Sequence, residues 1–170
     1  HAMLGMRKLP ITFRQYQAYK THMGMMKHDD TTMWFTQAFT GFAMFFLGSA
    51  HLFTMAIQAD KIGPFGSADR MYSEFMWPFY LLLLLAVEFH GGIGLYRLCV
   101  KWGWFEGENT KESRKNLKKV KWAVTAFFLA LGLLTLAAYV KYGYEYSNGL
   151  VDKYKPTAQV EVTYDVKVRA

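Results

Sequence analysis

Two long stretches without a single charged side chain constrain this 170-residue chain more than any other feature: 29 residues between Asp30 and Asp60, and 19 between Lys121 and Lys141. The hydrocarbon core of a bilayer is roughly 30 Å thick and takes about 20 helical residues to cross. Each stretch can therefore span a membrane. Apolar residues make up 52% and charged residues 19% of the chain, which argues against a disordered chain and a soluble enzyme. The single cysteine, Cys99, cannot pair within the chain and rules against a disulfide scaffold. The formal net charge of +7 would suit nucleic acid, but the basic residues flank apolar spans. That placement points to membrane topology, with the lipid bilayer as partner and no nucleic acid.

The expected fold class is all-α, a transmembrane helical bundle. Its opening HAMLGM is apolar and runs into Arg7, Lys8 and Pro10. With neither an initiator methionine nor a signal-peptide layout, this reads as the tail of a truncated helix at about 1–6. The chain is then expected to be a C-terminal portion of something longer. Complete spans follow at about 31–58, 75–100 and 122–140. All five tryptophans (Trp34, Trp77, Trp102, Trp104 and Trp122) fall near span ends, with Tyr139, Tyr142, Tyr144 and Tyr146, as in an aromatic belt. Residues 146–170 form a separate tail. Val160, Val162, Tyr164, Val166 and Val168 alternate there with polar residues, a period compatible with a short strand.

Counting Lys and Arg orients the spans. Residues 7–30 carry five and 97–121 carry eight, whereas 59–74 carry two and 141–170 carry five beside four acids. The richer pair of segments belongs in the cytoplasm, which leaves the C-terminus outside.

Of five histidines, His22 and His28 stand among charged residues and read as ordinary surface groups. His1, His51 and His90 lie in apolar surroundings, where an ionisable group is a functional candidate; a neutral histidine bonded to a neighbouring helix is the alternative. At about 1.5 Å per residue, His1 lies roughly 9 Å and His90 roughly 10 Å from the same membrane face, and His51 roughly 13 Å from the opposite one. A pair at one depth and a lone histidine at another is the layout of two stacked cofactors, with one ligand absent. Gly48 beside His51, and Gly91, Gly92 and Gly94 after His90, would let a porphyrin or another helix approach. No C-x-x-C-H occurs, so a haem here would be non-covalent and b-type. Two imidazoles on one iron leave no open position, which suits electron transfer. A zinc cluster would want about four ligands.

Arg97, seven residues after His90, points the same way; it is a candidate partner for a haem propionate, or snorkels to the interface. Glu88 faces roughly away from His90 and lies near the midplane, neutral or paired there. It is a candidate proton relay, or a group bonded within the bundle.

TGFAMFFLGSAHL (Thr40–Leu52), EFHGGIGLYRLCVKWGWF (Glu88–Phe105), LGLLTLAAYVK (Leu131–Lys141) and MRKLPITFRQYQAYKTH (Met6–His22) resemble the cytochrome b membrane-anchor subunit of bacterial di-haem quinol:fumarate reductases, within the succinate:quinone oxidoreductase superfamily. The resemblance covers about residues 1–145 and implies a five-helix subunit of which this chain is the last part of the second helix plus the final three. It implies two b haems, with His1 and His90 as iron ligands of the proximal one and His51 as one ligand of the distal one. Glu88 matches a family position implicated in proton movement. The resemblance also implies an anchor and electron conduit in a bacterial inner membrane, carrying electrons from menaquinol to iron–sulfur and flavoprotein subunits at the cytoplasmic face. Such a chain is an enzyme only as a subunit, with no fumarate site of its own. A dimer of the complex is compatible with this. The second distal ligand and the quinol-site carboxylate would belong to the absent region, and the tail matches nothing in the family. The same conduit runs equally as a succinate:quinone reductase. From other classes, a proton-coupled transporter would show more spans and broken helices, and a haem-free anchor would use the histidines for packing.

Overall fold

A computed structural model describes residues 1–7, 9–26, 29–59 and 62–150. Among them every regular element is a helix: α1 Ala2–Met6, α2 Phe13–Met26, α3 Asp29–Ile57, α4 Pro64–Tyr72, α5 Trp77–Trp102 and α6 Thr110–Ser147. Helices α3, α5 and α6 are long and apolar enough to cross a membrane. The alternating tail 159–169 lies outside the described residues.

Local chemistry accounts for the helix ends. Asp29 and Asp30 occupy the first turn of α3, where carboxylates complement the helix dipole. Pro64 opens α4 and Pro78 opens α5, positions where the missing N–H costs nothing. Gly103 closes α5 at φ 64°, its N–H turned back to the Cys99 and Val100 carbonyls. Asn109 caps α6, its side chain accepting from the Glu112 N–H at 3.3 Å. Inside the apolar spans the hydroxyls of Thr36, Thr40, Thr54 and Thr135 bond to carbonyls one turn back, which satisfies these hydroxyls within their own helices.

Three helical stretches lie outside the expected spans. Residues 13–26 form α2, held against α3 by Tyr19 stacked on Trp34 at 5.2 Å. The segment between the first two spans contains α4. Helix α6 begins at Thr110 rather than near Trp122, because Lys, Glu and Arg are good helix formers and hydropathy marks the membrane, not the helix end.

Helix α5 is central, packed between α3 and α6. Gly92 of α5 lies against the Thr125 hydroxyl of α6, and Gly132 of α6 against Leu84 of α5. Small residues at such crossings bring backbones close without a large core. Helix α4 docks on the far end of α6, where Gly143 meets the Ala68 carbonyl and Tyr72 meets Tyr144 edge-on at 5.4 Å. Few apolar side chains are buried (Met33, Ala68, Ala86, Ile93, Tyr96 and Cys99 among the described residues), while Phe39, Phe127 and Leu134 are 64–69% exposed. A soluble fold would hide such residues; their exposure suits a surface that meets lipid rather than water.

At one end of the bundle a charge cluster ties three helices together. Lys118 of α6 reaches Asp29 and Asp30 of α3, each at 3.3 Å, and the Tyr96 hydroxyl of α5 donates to Asp30 at 3.2 Å. Burial pulls the Lys118 ammonium down, but Asp30, the adjacent Tyr96 and the bond to Asp29 outweigh it and hold its pKa above the ordinary lysine value. The clasp is therefore fully present below the unfolded-state pKa of roughly 10.4 and is lost as pH rises through the higher folded value. Replacing Lys118 with methionine is expected to lower stability by about 1 kcal/mol at pH 7, a difference that shrinks in strong alkali. Thermal unfolding of the solubilised protein at the two pH values measures this; equal stability at pH 7 would count against the clasp. Beside it Lys121 is only 6% exposed, 3.5 Å from the Met33 sulfur and over the Trp122 ring at 3.4 Å. Burial first, and then the Lys118 charge, push its pKa down.

Candidate haem-binding sites

The His1 and His90 rings stand 5.9 Å apart, nearly perpendicular at 83°. His1 sits at the exposed start of α1, and His90 is half-buried on α5. Both line a cavity of about 420 Å³ between α1, α3 and α5, with Trp34, Gly41, Phe45 and Arg97 among its walls. Two features of α3 hold His90 in place. Its Nδ1 lies 2.9 Å from the Gln37 carbonyl, which can only accept, so Nδ1 carries the proton and Nε2 is left with the lone pair. A Cβ built on Gly41 would come within 2.7 Å of the His90 ring, so the imidazole rests directly on main chain. The Gln37 side chain performs a second task one face away, its Oε1 accepting from the exposed Arg97 guanidinium at 2.6 Å. One residue thus orients both the imidazole and the cation two turns below it.

His51 is half-buried on α3 and belongs to a separate place in the bundle. Its Nδ1 lies 3.2 Å from the Tyr80 hydroxyl of α5. Met55 and Gln58 follow on the same helical face, and there α4 delivers a cation. Arg70 is 4% exposed, its Nη1 3.9 Å from the Met55 sulfur. Among the described residues the nearest carboxylate, Glu74, is 3.9 Å from Nε, too far for a hydrogen bond. Among the described residues, neither Arg70 Nε nor Gln58 Oε1, both buried, has a hydrogen-bond partner. Orphaned polar atoms in such a position ask for an occupant.

Glu88 lies on the other side of α5 from His90. It lines an open groove of about 400 Å³ between α5 and α6 with Tyr80, Leu84, Phe128, Thr135 and Tyr139. Tyr80 thus belongs both to this groove and to His51. His22 is exposed and bonds back to the Ala18 carbonyl, away from both sites; His28 lies outside the described residues.

The structure also sorts the glycines. Gly48 and Gly91 meet nothing within 4 Å, while Gly92 and Gly94 serve helix approach, against Thr125 and Gln37. The glycine pressed against a histidine is Gly41, which sequence reasoning missed along with Gln37, Tyr80 and Arg70. Gln37 had a visible signal, as a polar residue inside a charge-free span. Gly41 and Tyr80 had none, because their partners sit on another helix.

A family model for the succinate dehydrogenase/fumarate reductase transmembrane subunit matches residues 14–134. The chain is 59% identical over 152 residues to the fumarate reductase cytochrome b subunit of Wolinella succinogenes, covering 89% of this chain and 59% of that protein. It is 54% identical over 145 residues to the subunit of the same name from Helicobacter pylori, covering 85% of this chain and 55% of that one. It therefore spans somewhat more than half the length of the curated relatives it matches. With the matched region running through α2, α3, α4, α5 and most of α6, the chain belongs to the succinate dehydrogenase/fumarate reductase transmembrane subunit family.

Proposed function

We propose that this chain is the haem-carrying membrane anchor and electron-transfer subunit of a quinol:fumarate reductase. The observation that carries the reading is the His1–His90 pair across an apolar cavity. Their ring centres stand 5.9 Å apart, a spacing that would let both imidazoles reach one metal atom at roughly 2 Å each. The cavity volume lies within the range of small-molecule and cofactor sites. Gly41 gives the His90 imidazole its seat on the main chain, and Arg97 would offer a cation to a propionate at the rim. His51 serves as one ligand of a second haem, its other ligand coming from outside the described residues. The Arg70 Nε–H, buried over the same face of α3 and without a hydrogen-bond partner among the described residues, fits a carboxylate of that group.

A b haem held by two histidines supplies one-electron transfer with no open coordination position. The chain's own residues ligate, orient and exclude water. His90 is fixed by the Gln37 carbonyl, and the aromatic walls Trp34 and Phe45 keep the cavity dry. In this reading menaquinol is oxidised toward the outer side of a bacterial inner membrane, and the electrons leave to iron–sulfur and flavoprotein subunits at the cytoplasmic face. There the basic segments 7–27 and 97–121 meet those subunits, and the C-terminus lies outside. The family description names succinate dehydrogenase as well as fumarate reductase, so the ratio of the two activities in the complex reads the physiological direction.

Glu88 is the proton relay of this proposal, supported by its place in the α5–α6 groove. Glu88→Gln keeps shape and removes the titrating group; turnover is expected to fall at least about tenfold with haem content intact. Unchanged turnover would remove Glu88 from the pathway. The reading as a whole is tested by a reduced-minus-oxidised spectrum and haem stoichiometry on the purified complete complex. Two b haems per complex are expected. None would return the histidines to packing.

A further inference from the structure

We propose that Tyr80 is the positioning residue of the distal ligand: its phenolic oxygen accepts the His51 Nδ1–H, settling which ring nitrogen faces the metal and how strongly it donates. The inference rests on His51 being a haem ligand. Tyr80 Oη stands 3.2 Å from His51 Nδ1, and the rings meet edge-to-face at 5.4 Å and 82°. The tyrosine ring therefore walls the imidazole, and the hydroxyl supplies the polar contact. A hydroxyl can donate or accept. If it donated, Nδ1 would use its lone pair, the proton would sit on Nε2, and that nitrogen could not bind a metal. Ligation through Nε2 selects the accepting role.

The two histidines then differ in a way sequence position does not reveal. His90 gives its Nδ1 proton to a main-chain carbonyl, which no substitution of Gln37 removes. His51 gives its proton to a side-chain oxygen that one substitution deletes. An acceptor on the outer ring nitrogen raises the basicity of the ligating one, and a more basic ligand favours the oxidised metal. Tyr80 thus holds the distal haem at a lower potential than the same ligand would give alone.

Tyr80→Phe in the complete complex keeps the ring wall and removes only the hydroxyl. Redox titration by absorbance, with electron paramagnetic resonance of the oxidised complex, reads both haems separately. The distal midpoint potential is expected to rise by about a tenfold shift in its reduction equilibrium, roughly 59 mV for a one-electron couple. The distal low-spin signal should shift with it, and the proximal haem should stay unchanged. Loss of the distal haem alone would also support the assignment, since the ring remains. An unmoved or lowered distal potential at full haem content would overturn it, as would loss of both haems, which would assign Tyr80 to the bundle. His51→Ala separates the two levels. If it removes no haem, the ligand reading itself fails; if it removes one while Tyr80→Phe changes nothing, only this inference does.

Discussion

Replacing His90 with alanine is expected to remove one b haem from the complex and leave the other. The imidazole is held by the Gln37 carbonyl and by the Gly41 main chain, and alanine leaves no donor on α5 within reach of the cavity. Loss of an outer hydrogen-bond partner typically costs 10–100-fold in metal affinity, and loss of the ligand itself costs more. Quinol-dependent fumarate reduction should then fall by more than about 100-fold. Fumarate reduction from an artificial donor that feeds the flavoprotein directly should persist, because the proposed function assigns the fumarate site to that subunit. His51→Ala is the reciprocal case and should remove the other haem. The spectrum and haem stoichiometry of the two variants decide the matter. A His90→Ala complex with full haem content would end the ligand assignment, and loss of both haems in either variant would reassign the histidine to assembly.

Gly41→Leu should have nearly as large an effect without touching a ligand. Its Cβ alone would stand 2.7 Å from His90 Cε1 and 3.0 Å from Nδ1, and the leucine branch would extend into the cavity. His90 cannot yield without breaking its bond to Gln37, so the added bulk forces the imidazole out of line or fills the cofactor's place. Overpacking of this kind costs about 1–3 kcal/mol in a core, and here the strain falls on the ligand. The proximal haem should be lost or weakly held while the distal haem stays. Gly91→Ala is the matched control: Gly91 adjoins His90 in sequence, yet a Cβ there meets nothing within 4 Å, and both haems should remain. Equal haem content in the two variants would show that the cross-helix contact at Gly41 does not govern haem retention.

Much of the architecture was legible in one dimension. Charge-free length and flanking Lys and Arg bear directly on membrane insertion, a property of each segment taken alone. Three spanning helices and the intramembrane placement of His51, Glu88 and His90 follow from that. Element ends were less legible. Helix α6 extends well beyond its apolar stretch, and α2 and α4 lie in segments whose polarity resembles that of loops, because helix propensity and hydropathy report different things.

What the sequence by itself determined is therefore the depth of each group: at a fixed rise per residue, counting to the nearest interfacial charge places His1 and His90 at one level and His51 at another. Only the tertiary structure decided the azimuth, that is, which face of each helix meets which neighbour. Gly41 and Gln37 are 49 and 53 residues from His90, and Tyr80 is 29 from His51. No periodicity within one helix encodes such pairings. They arise when glycines let the backbones of α3, α5 and α6 approach, and rotation about each helix axis settles where the side chains interlock. Arg70 shows the same division most plainly: in sequence it is an exposed-looking basic residue in a short connection, and the docking of α4 buries its guanidinium over the His51 face of α3.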